Sequence, residues 1–292
     1  MAITNFIPEI WSAALLKALR DRLTYAQAGV VNRNYEGEIA RAGDTVHITS
    51  FEDPAVRDYT KNGTISWDLL TDDQQTLVVD QANYFAFKVD DIDKRQALPG
   101  FVEETTVGAS YNLAAKADEF VAGLMVDGVA DGTGGQPDND LGAVTVSGSD
   151  PDAYELLVEF RTALTRSNTP TDGRFVVVPP EFYAVLLKDD RFIRYDASNT
   201  SSGLRNAVVG RAAGFDVVES NVVPSAGGDE EDPLVFDVVA GHSIATTYAE
   251  QIASTEAMRL ENTFGDGVRG LHLYGGKVIR PANLAKAQVT IG

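Results

Sequence analysis

The chain has 292 residues, 44% of them hydrophobic, which is enough for one large domain or two ordinary domains with packed cores. With 43 Asp and Glu against 24 Lys and Arg, its formal net charge is −19, which argues against sequence-specific DNA binding and against binding to anionic membrane surfaces. The absence of cysteine excludes disulfides, thiolate metal sites and a cysteine nucleophile.

The N-terminal residues predict an amphipathic helix followed by a loose arm. Between residues 8 and about 27, Trp11 and a series of leucines recur every four residues and form one apolar stripe. The sequence shows no signal-peptide pattern and no apolar run that is long enough to span a membrane. Because residues 28–44 follow as an irregular segment, we expect this arm to dock on the body of the protein or on a neighbouring chain.

Residues 45–91 predict a long β-hairpin whose tip has little to pack against. Asn62-Gly63 is the strongest short-range signal for a hairpin turn, and clearly apolar strands occur only further out, at 45–51 and 76–91. A two-stranded ribbon is marginally stable in water, and its open edges invite pairing with another chain. We therefore predict contacts between chains at the tip and the arm. The candidate contact residues are Trp11, Tyr59, Lys61, Asn62, Gly63 and Trp67.

Residues 99–128 give the longest helical signal and predict a spine helix laid along a sheet. Small residues on this helix, among them Gly123, are expected to let other backbones come close. The glycine- and aspartate-rich stretch 127–151 predicts a loop and a boundary between substructures. From there to residue 242, strands alternate with helices, which predicts a compact α/β or α+β unit. The last fifty residues read as further strands.

No motif in the sequence predicts catalysis. The three histidines, His47, His242 and His272, are far apart, and neither a nucleophile elbow nor a phosphate-binding loop occurs. The acidic loops around Asp131 and at 228–232 lack the ligand spacing of a helix-loop-helix calcium site. We therefore predict that the protein is not an enzyme and carries no catalytic residue, cofactor or metal.

Four stretches, in their order and spacing, resemble the major capsid (coat) protein of tailed double-stranded-DNA bacteriophages. These stretches are GRFVVVPPEFYAVLLKDDRF (173–192), NAVVGRAAGFDVVESNVVP (206–224), VFDVVAGHSIATTYAEQIASTEAMR (235–259) and FGDGVRGLHLYGGKVIRPANL (264–284). The resemblance implies an α+β chain with the Hong Kong 97-type phage capsid fold. It implies four parts: an N-terminal arm (1–44), an extended β-hairpin loop (45–91), a peripheral domain with a long spine helix (92–130 and 243–292), and an axial α/β domain (131–242).

The resemblance also implies a function and a set of partners. The chain would be a structural subunit that self-assembles as pentamers and hexamers into an icosahedral phage capsid enclosing double-stranded DNA. Its partners would be copies of itself, a portal, decoration or minor capsid proteins, and DNA bound without sequence specificity, with no membrane. The family's cleaved scaffolding segment has no room before the arm, which predicts a separate scaffolding protein. The expected location is the virion capsid, and the host cytoplasm during assembly.

Other interpretations stay open at this point. Lys61 lies where some family members carry a cross-linking lysine, and Asn262 is a conceivable partner for it. A nanocompartment shell of the same fold would enclose a cargo enzyme rather than a genome. From a different class, the acidic loops suggest a calcium-binding surface protein.

Overall fold

The computed structural model describes residues 23–34, 45–51, 57–58, 61, 72–90, 101–132, 138–146, 153–188, 211–227, 233–259 and 264–291. These residues form three α-helices and twelve strands. The helices are α1 (Phe101–Asp127), α2 (Ala153–Arg166) and α3 (Pro180–Leu186). The strands are β1 (Thr45–Phe51), β2 (Asp72–Val78), β3 (Gln81–Asp90), β4 (Asp140–Val146), β5 (Arg174–Val178), β6 (Arg211–Ala212), β7 (Phe215–Glu219), β8 (Ser225–Ala226), β9 (Val235–His242), β10 (Thr246–Arg259), β11 (Gly265–Val278) and β12 (Leu284–Ile291). Within the described ranges, no helix is long and apolar enough to cross a membrane.

The strands form three sheets. β1 and β2 make a two-stranded antiparallel ribbon, and β10, β11 and β3 make a three-stranded antiparallel sheet in that order. The largest sheet has the order β4-β12-β9-β5-β7-β6, with β8 added beside β9. This mixture of sheets and helices confirms the predicted α+β class.

The largest sheet carries most of the core. Its strand β5 is buried at every position, as expected for a short Val-rich strand inside a sheet with both faces covered. Helix α2 presents an apolar stripe at the spacing of helix turns. The buried residues of that stripe are Ala153, Leu156, Leu157, Phe160, Ala163 and Leu164. One continuous cluster joins these residues to α1 and to the three-stranded sheet, so the substructures share a core.

Helix α1 confirms the predicted spine, and the structure describes it from Phe101 to Asp127, within the predicted range 99–128. Its aromatic ring Phe120 meets Tyr274 of β11 edge-on, with ring centroids 5.5 Å apart. The expectation about Gly123 is wrong, because a Cβ at that position has no heavy atom of the described residues within 4 Å. The helix therefore uses its alanines, rather than this glycine, for close packing.

Two further expectations are corrected by the strands. The apolar run 76–91 is two strands rather than one, since the chain turns at Val79-Asp80 and passes from β2 into a different sheet. Residues 127–151, predicted as a loop, contain β4. Its pairing with β12 supplies the hydrogen bonds that a glycine- and aspartate-rich sequence does not suggest.

The N-terminal prediction is only partly within the described residues. Residues 1–22, which contain most of the predicted helix, lie outside them. Residues 24–31 form turns and bends rather than the end of a helix. An Asp118 carboxylate binds three successive backbone N–H groups of this segment, an alternative to the helical hydrogen bonds that the apolar stripe predicted.

The ribbon β1–β2 is fixed to the body at its root. Leu77 and Val79 are buried in a small cluster with Ala249 of β10 and Leu273 of β11. The backbone of β2 crosses β11 directly over Gly275, where a Cβ would lie 2.3 Å from the Val78 carbonyl oxygen. Only glycine allows this crossing without a shift of the backbone.

We predict that Gly275→Ala destabilises the fold by about 2 kcal/mol, because the added methyl group forces the crossing chains apart. As a matched control, Gly123→Ala should stabilise it by up to about 1 kcal/mol, since alanine is the better helix former and has open space there. Urea denaturation of both variants measures the free energy of unfolding. Equal effects of the two substitutions would contradict the close crossing.

Candidate functional site

The most organised polar site holds the segment 23–34 against the body. The carboxylate of Asp118, on the buried face of α1, accepts three backbone hydrogen bonds from successive residues of this segment. The donors are the amides of Thr24 at 2.7 Å, Tyr25 at 2.9 Å and Ala26 at 2.9 Å. Successive backbone N–H groups that converge in this way form a nest for an anion. The segment is therefore bound to α1 through its backbone.

The helix positions Asp118 where small neighbours let the segment approach. Ala114, Ala117, Val121 and Ala122 of the same face are all buried. Burial raises the pKa of Asp118 from its ordinary value to about 6, although the three N–H groups act in the opposite direction. The negative charge of Glu250 raises it further. The carboxylate is therefore ionised at neutral pH and held in a site that disfavours its charge.

The other end of the segment docks on β10. The Asn32 amide donates to the Thr246 carbonyl at 2.9 Å, and the Tyr248 amide donates to the Asn32 carbonyl at 3.0 Å. This isolated parallel bridge adds the segment to the edge of β10. Beside it, the Arg33 guanidinium forms an ion pair with Glu250 and lies over the Tyr248 ring, 5.5 Å from its centroid.

Glu250 is the centre of a buried network. The Tyr248 hydroxyl donates to its carboxylate at 2.9 Å, and the His272 Nε2 lies 3.3 Å from the same oxygen. Burial alone would raise the pKa of Glu250, but the hydrogen bond from His272 and the charge of Arg33 outweigh it and hold the pKa below its usual range. The same burial, together with Glu250, raises the pKa of Tyr248, so this phenol stays protonated and donates.

Within the described residues, nothing resembles a catalytic or metal centre. No group of three or more His, Asp or Glu side chains is placed to hold a metal ion there. An open cavity of about 500 Å³ lies beside the 3-10 turn 281–283, but Arg280 is the single charged side chain in its lining.

The predicted contact residues lie almost entirely outside the described part of the chain. Lys61 is described and is exposed in a turn. The others are Trp11, Tyr59, Asn62, Gly63 and Trp67, and Asn262 is also outside. Their role stays a prediction. The pairing of Thr45 with Val78 and of Phe51 with Asp72 does enclose the Asn62-Gly63 stretch between two antiparallel strands.

Sequence reasoning missed the polar residues of the docking site. Asp118 was detectable in principle, as an acid flanked by buried-face positions of the apolar stripe of α1. Glu250 and Arg33 were not, because the strand and the loop that carry them are 217 positions apart in the sequence.

Large apolar side chains are exposed at two places on the three-stranded sheet. Tyr84, on β3, is 78% exposed. Phe264, which directly precedes β11, is 83% exposed. Since β3 is the outer strand of its sheet, its second edge has no partner among the described residues. Such surfaces are typical of contact regions between proteins.

Comparison with known proteins gives a consistent result. A family model described as phage capsid protein matches residues 71–287. A solved structure from Mycobacterium phage Che8 is 32% identical, with 98% of each chain covered and a TM-score of 0.64. A capsid structure of the cyanophage P-SCSP1u is 13% identical, with 87% of this chain and 85% of that chain covered and a TM-score of 0.63.

The same fold occurs in a virus-like particle from Pyrococcus furiosus. It is 12% identical, with 96% of this chain and 98% of that chain covered and a TM-score of 0.54. At this identity the likeness concerns the fold alone. No curated protein sequence matches the chain.

We predict that Arg33→Met lowers the free energy of unfolding by about 3 kcal/mol, because it leaves the buried Glu250 carboxylate without its ion-pair partner. The control is Arg269→Met, which removes an ion pair with Glu256 whose side chains are 59% and 50% exposed. That loss should stay within about 1 kcal/mol. Urea denaturation of both variants at neutral pH makes the comparison, and similar losses would refute a special role for Arg33.

Proposed function

The chain belongs to the phage capsid protein family, and we propose that it assembles as pentamers and hexamers into an icosahedral shell that encloses double-stranded DNA. It is a structural subunit of a capsid with the Hong Kong 97-type fold, and it is not an enzyme. Its copies associate with one another in the virion capsid. The proposal extends this established role to the arrangement of subunits, the contents of the shell and the contacts that close it.

The ribbon β1–β2 is the main support for the proposed contact between subunits. Among the described residues its two strands pair only with each other, so both outer edges are open. A ribbon of this kind is marginal in water unless something packs on it. The body holds its root through Leu77 and Val79, and we assign the partner of its distal part to a neighbouring subunit. Trp11, Tyr59, Lys61 and Trp67 would then lie in this contact, as would the Asn62-Gly63 turn.

Strand β3 offers a second surface for contact between subunits. The edge strand β4 of the largest sheet is interrupted by a register shift and by Gly142, whose φ is +71°, and such irregularities discourage pairing between sheets. In contrast, β3 pairs with β11 over ten consecutive residues without a shift, so its open edge is regular. Beside this edge, the exposed Tyr84 provides apolar area. These features support β3 as a second contact surface between subunits.

We propose a division of the chain into parts with the boundaries that the sequence predicts. The proposed parts are the arm (1–44), the extended loop (45–91), the peripheral domain (92–130 and 243–292) and the axial domain (131–242). Within this division, β10 and β11 pair with β3, while the last strand, β12, returns to pair with β4 and β9 of the largest sheet. The C-terminal segment thus joins the peripheral and axial parts.

Charge supports a container from which DNA can leave. A net charge of −19 repels phosphate, so an inner wall of this composition would hold DNA without sequence specificity and without tight binding. Assembly in the host cytoplasm would use a separate scaffolding protein and a portal, and decoration or minor capsid proteins could bind the finished shell. Closure makes many weak contacts effectively intramolecular, so no single contact has to be strong.

We predict that deletion of residues 57–67 leaves a folded subunit that no longer closes into shells, because the ribbon loses the tip that contacts a neighbour. Circular dichroism tests the fold, and negative-stain microscopy of subunits assembled with a candidate scaffolding protein tests closure. Val158→Ser, which removes an exposed apolar residue of α2, is the control and should assemble normally. Normal shells from the deletion variant would refute the contact.

The content of the shell is tested separately. Particles purified from phage-infected cells should contain nuclease-protected double-stranded DNA. Particles that instead hold a protein cargo and no nucleic acid would contradict the proposal and favour a nanocompartment.

A further inference from the structure

Two buried carboxylates on different elements hold the segment 23–34 at its two ends. Asp118 of α1 binds the amides of residues 24–26, and Glu250 of β10 binds Arg33. Between these points, Asn32 forms a single bridge with β10. We propose that Asp118 and Glu250 form a proton-dependent latch that holds this segment, the root of the N-terminal arm, most firmly in mildly acidic solution.

The polar seam, which is the contact between the segment 23–34 and the strands β10 and β11, contains buried polar atoms without hydrogen-bond partners. The segment can therefore undock there more easily than from a fully paired contact. The described residues leave several buried polar atoms there without a hydrogen-bond partner. On the segment and on the face of β10 and β11 that carries Glu250, these atoms are Tyr25 Oη, Thr246 Oγ1 and His272 Nδ1. Each such atom disfavours the docked state, and most buried polar atoms in proteins are paired. The segment therefore combines apolar anchors with a polar seam of limited stability.

The two carboxylates respond to pH in opposite directions. The docked state raises the pKa of Asp118 from 3.8 to about 6, whereas an undocked, solvated carboxylate keeps its ordinary value. The docked state then binds the proton more tightly, so docking strengthens as the pH falls through about 6. With the proton on Oδ2, which accepts from Thr24, Asp118 carries no buried charge, and its Oδ1 still accepts from the amides of Tyr25 and Ala26.

Glu250 sets the lower limit of the pH range in which the segment docks firmly. Because its pKa is lowered in the docked state, its contribution is complete above its ordinary value of 4.5 and is lost as the pH falls through the lowered value. Between these limits Asp118 is protonated while Glu250 is ionised and paired with Arg33. Since the Asp118 contribution is complete only below its ordinary value of 3.8, docking should be strongest near pH 4.5 and should weaken as the pH rises through about 6.

Other charged and titratable groups surround the pair from every packed element and set the size of the effect. They are Tyr25 and Arg33 of the segment, Tyr248 of β10, His272 and Tyr274 of β11, and Asp237 of β9, which acts on Tyr25.

The latch lies within one subunit, so it goes beyond the proposed assembly and is tested without it. Hydrogen exchange of the full-length, unassembled chain would be followed from about pH 3.5 to 8, with rates corrected for intrinsic exchange. The readout is the protection of peptides that cover residues 23–34, relative to peptides from α2. Protection should be greatest near pH 4.5 and should fall about tenfold towards pH 8, since each unit of pH below the docked pKa of about 6 strengthens docking up to tenfold while the undocked carboxylate stays ionised.

Two substitutions separate the acidic side of the pH profile of protection from its alkaline side. Asp118→Asn should abolish the loss of protection between about pH 4.5 and 7, and Glu250→Gln should abolish the loss at low pH. Glu119→Gln, an exposed neighbour on α1, should leave the profile unchanged. A profile of Asp118→Asn that matches the wild type overturns the proposal.

If either variant fails to fold, measurements on the wild-type chain test the proposal. Protection that is flat, or that rises steadily from pH 5 to 8, overturns the latch. An Asp118 carboxyl resonance that titrates near pH 6, observed by carbon-13 spectroscopy, supports it, and a midpoint near 4 overturns it.

Discussion

A short piece of one strand holds both extensions of this chain. Along β10, successive side chains point to opposite faces of the sheet. Ala249 packs with Leu77 and Val79 under the root of the ribbon, whereas its neighbours Tyr248 and Glu250 form the network that receives Arg33. A shift of β10 by a single residue would exchange these faces and release both extensions at once.

Contacts with the segment 23–34 also help to position helix α1. Its Asp118 is ionised at neutral pH although it is buried, and three amides of the segment 23–34 compensate for part of its lost hydration. Glu250, also buried, is stabilised by a cation instead. In a chain with a net charge of −19, one buried carboxylate is thus satisfied by backbone dipoles and the other by Arg33. Burial outweighs the amides at Asp118, whereas the hydrogen bond from His272 and the charge of Arg33 outweigh burial at Glu250, so the two pKa values move in opposite directions.

Regular elements could be predicted from the sequence, and crossings between them could not. The apolar repeat of α1 and the valine run of β5 gave their type and approximate bounds, because both patterns report local periodicity. The turn at Val79-Asp80 was missed, since the apolar run continues through it and only the packing against β11 breaks the strand. Likewise, the partners of Asp118 are main-chain amides, which leave no mark in a sequence.

Roots that are attached to the body would give the proposed extensions an advantage in assembly. Each subunit that binds a neighbour must order whatever part of its surface is mobile, and that ordering opposes binding. The Gly275 crossing and the Asp118 nest fix the ribbon and the arm where they leave the body, so part of this cost is met when the subunit folds. The outer edges of β1, β2 and β3 pair with nothing further in the part of the chain that the structure describes, and with attached roots they would need no large core of their own in the free subunit. If each contact between subunits is weak, a misplaced subunit can leave before the shell closes. Strong pairing of any one strand edge would prevent this.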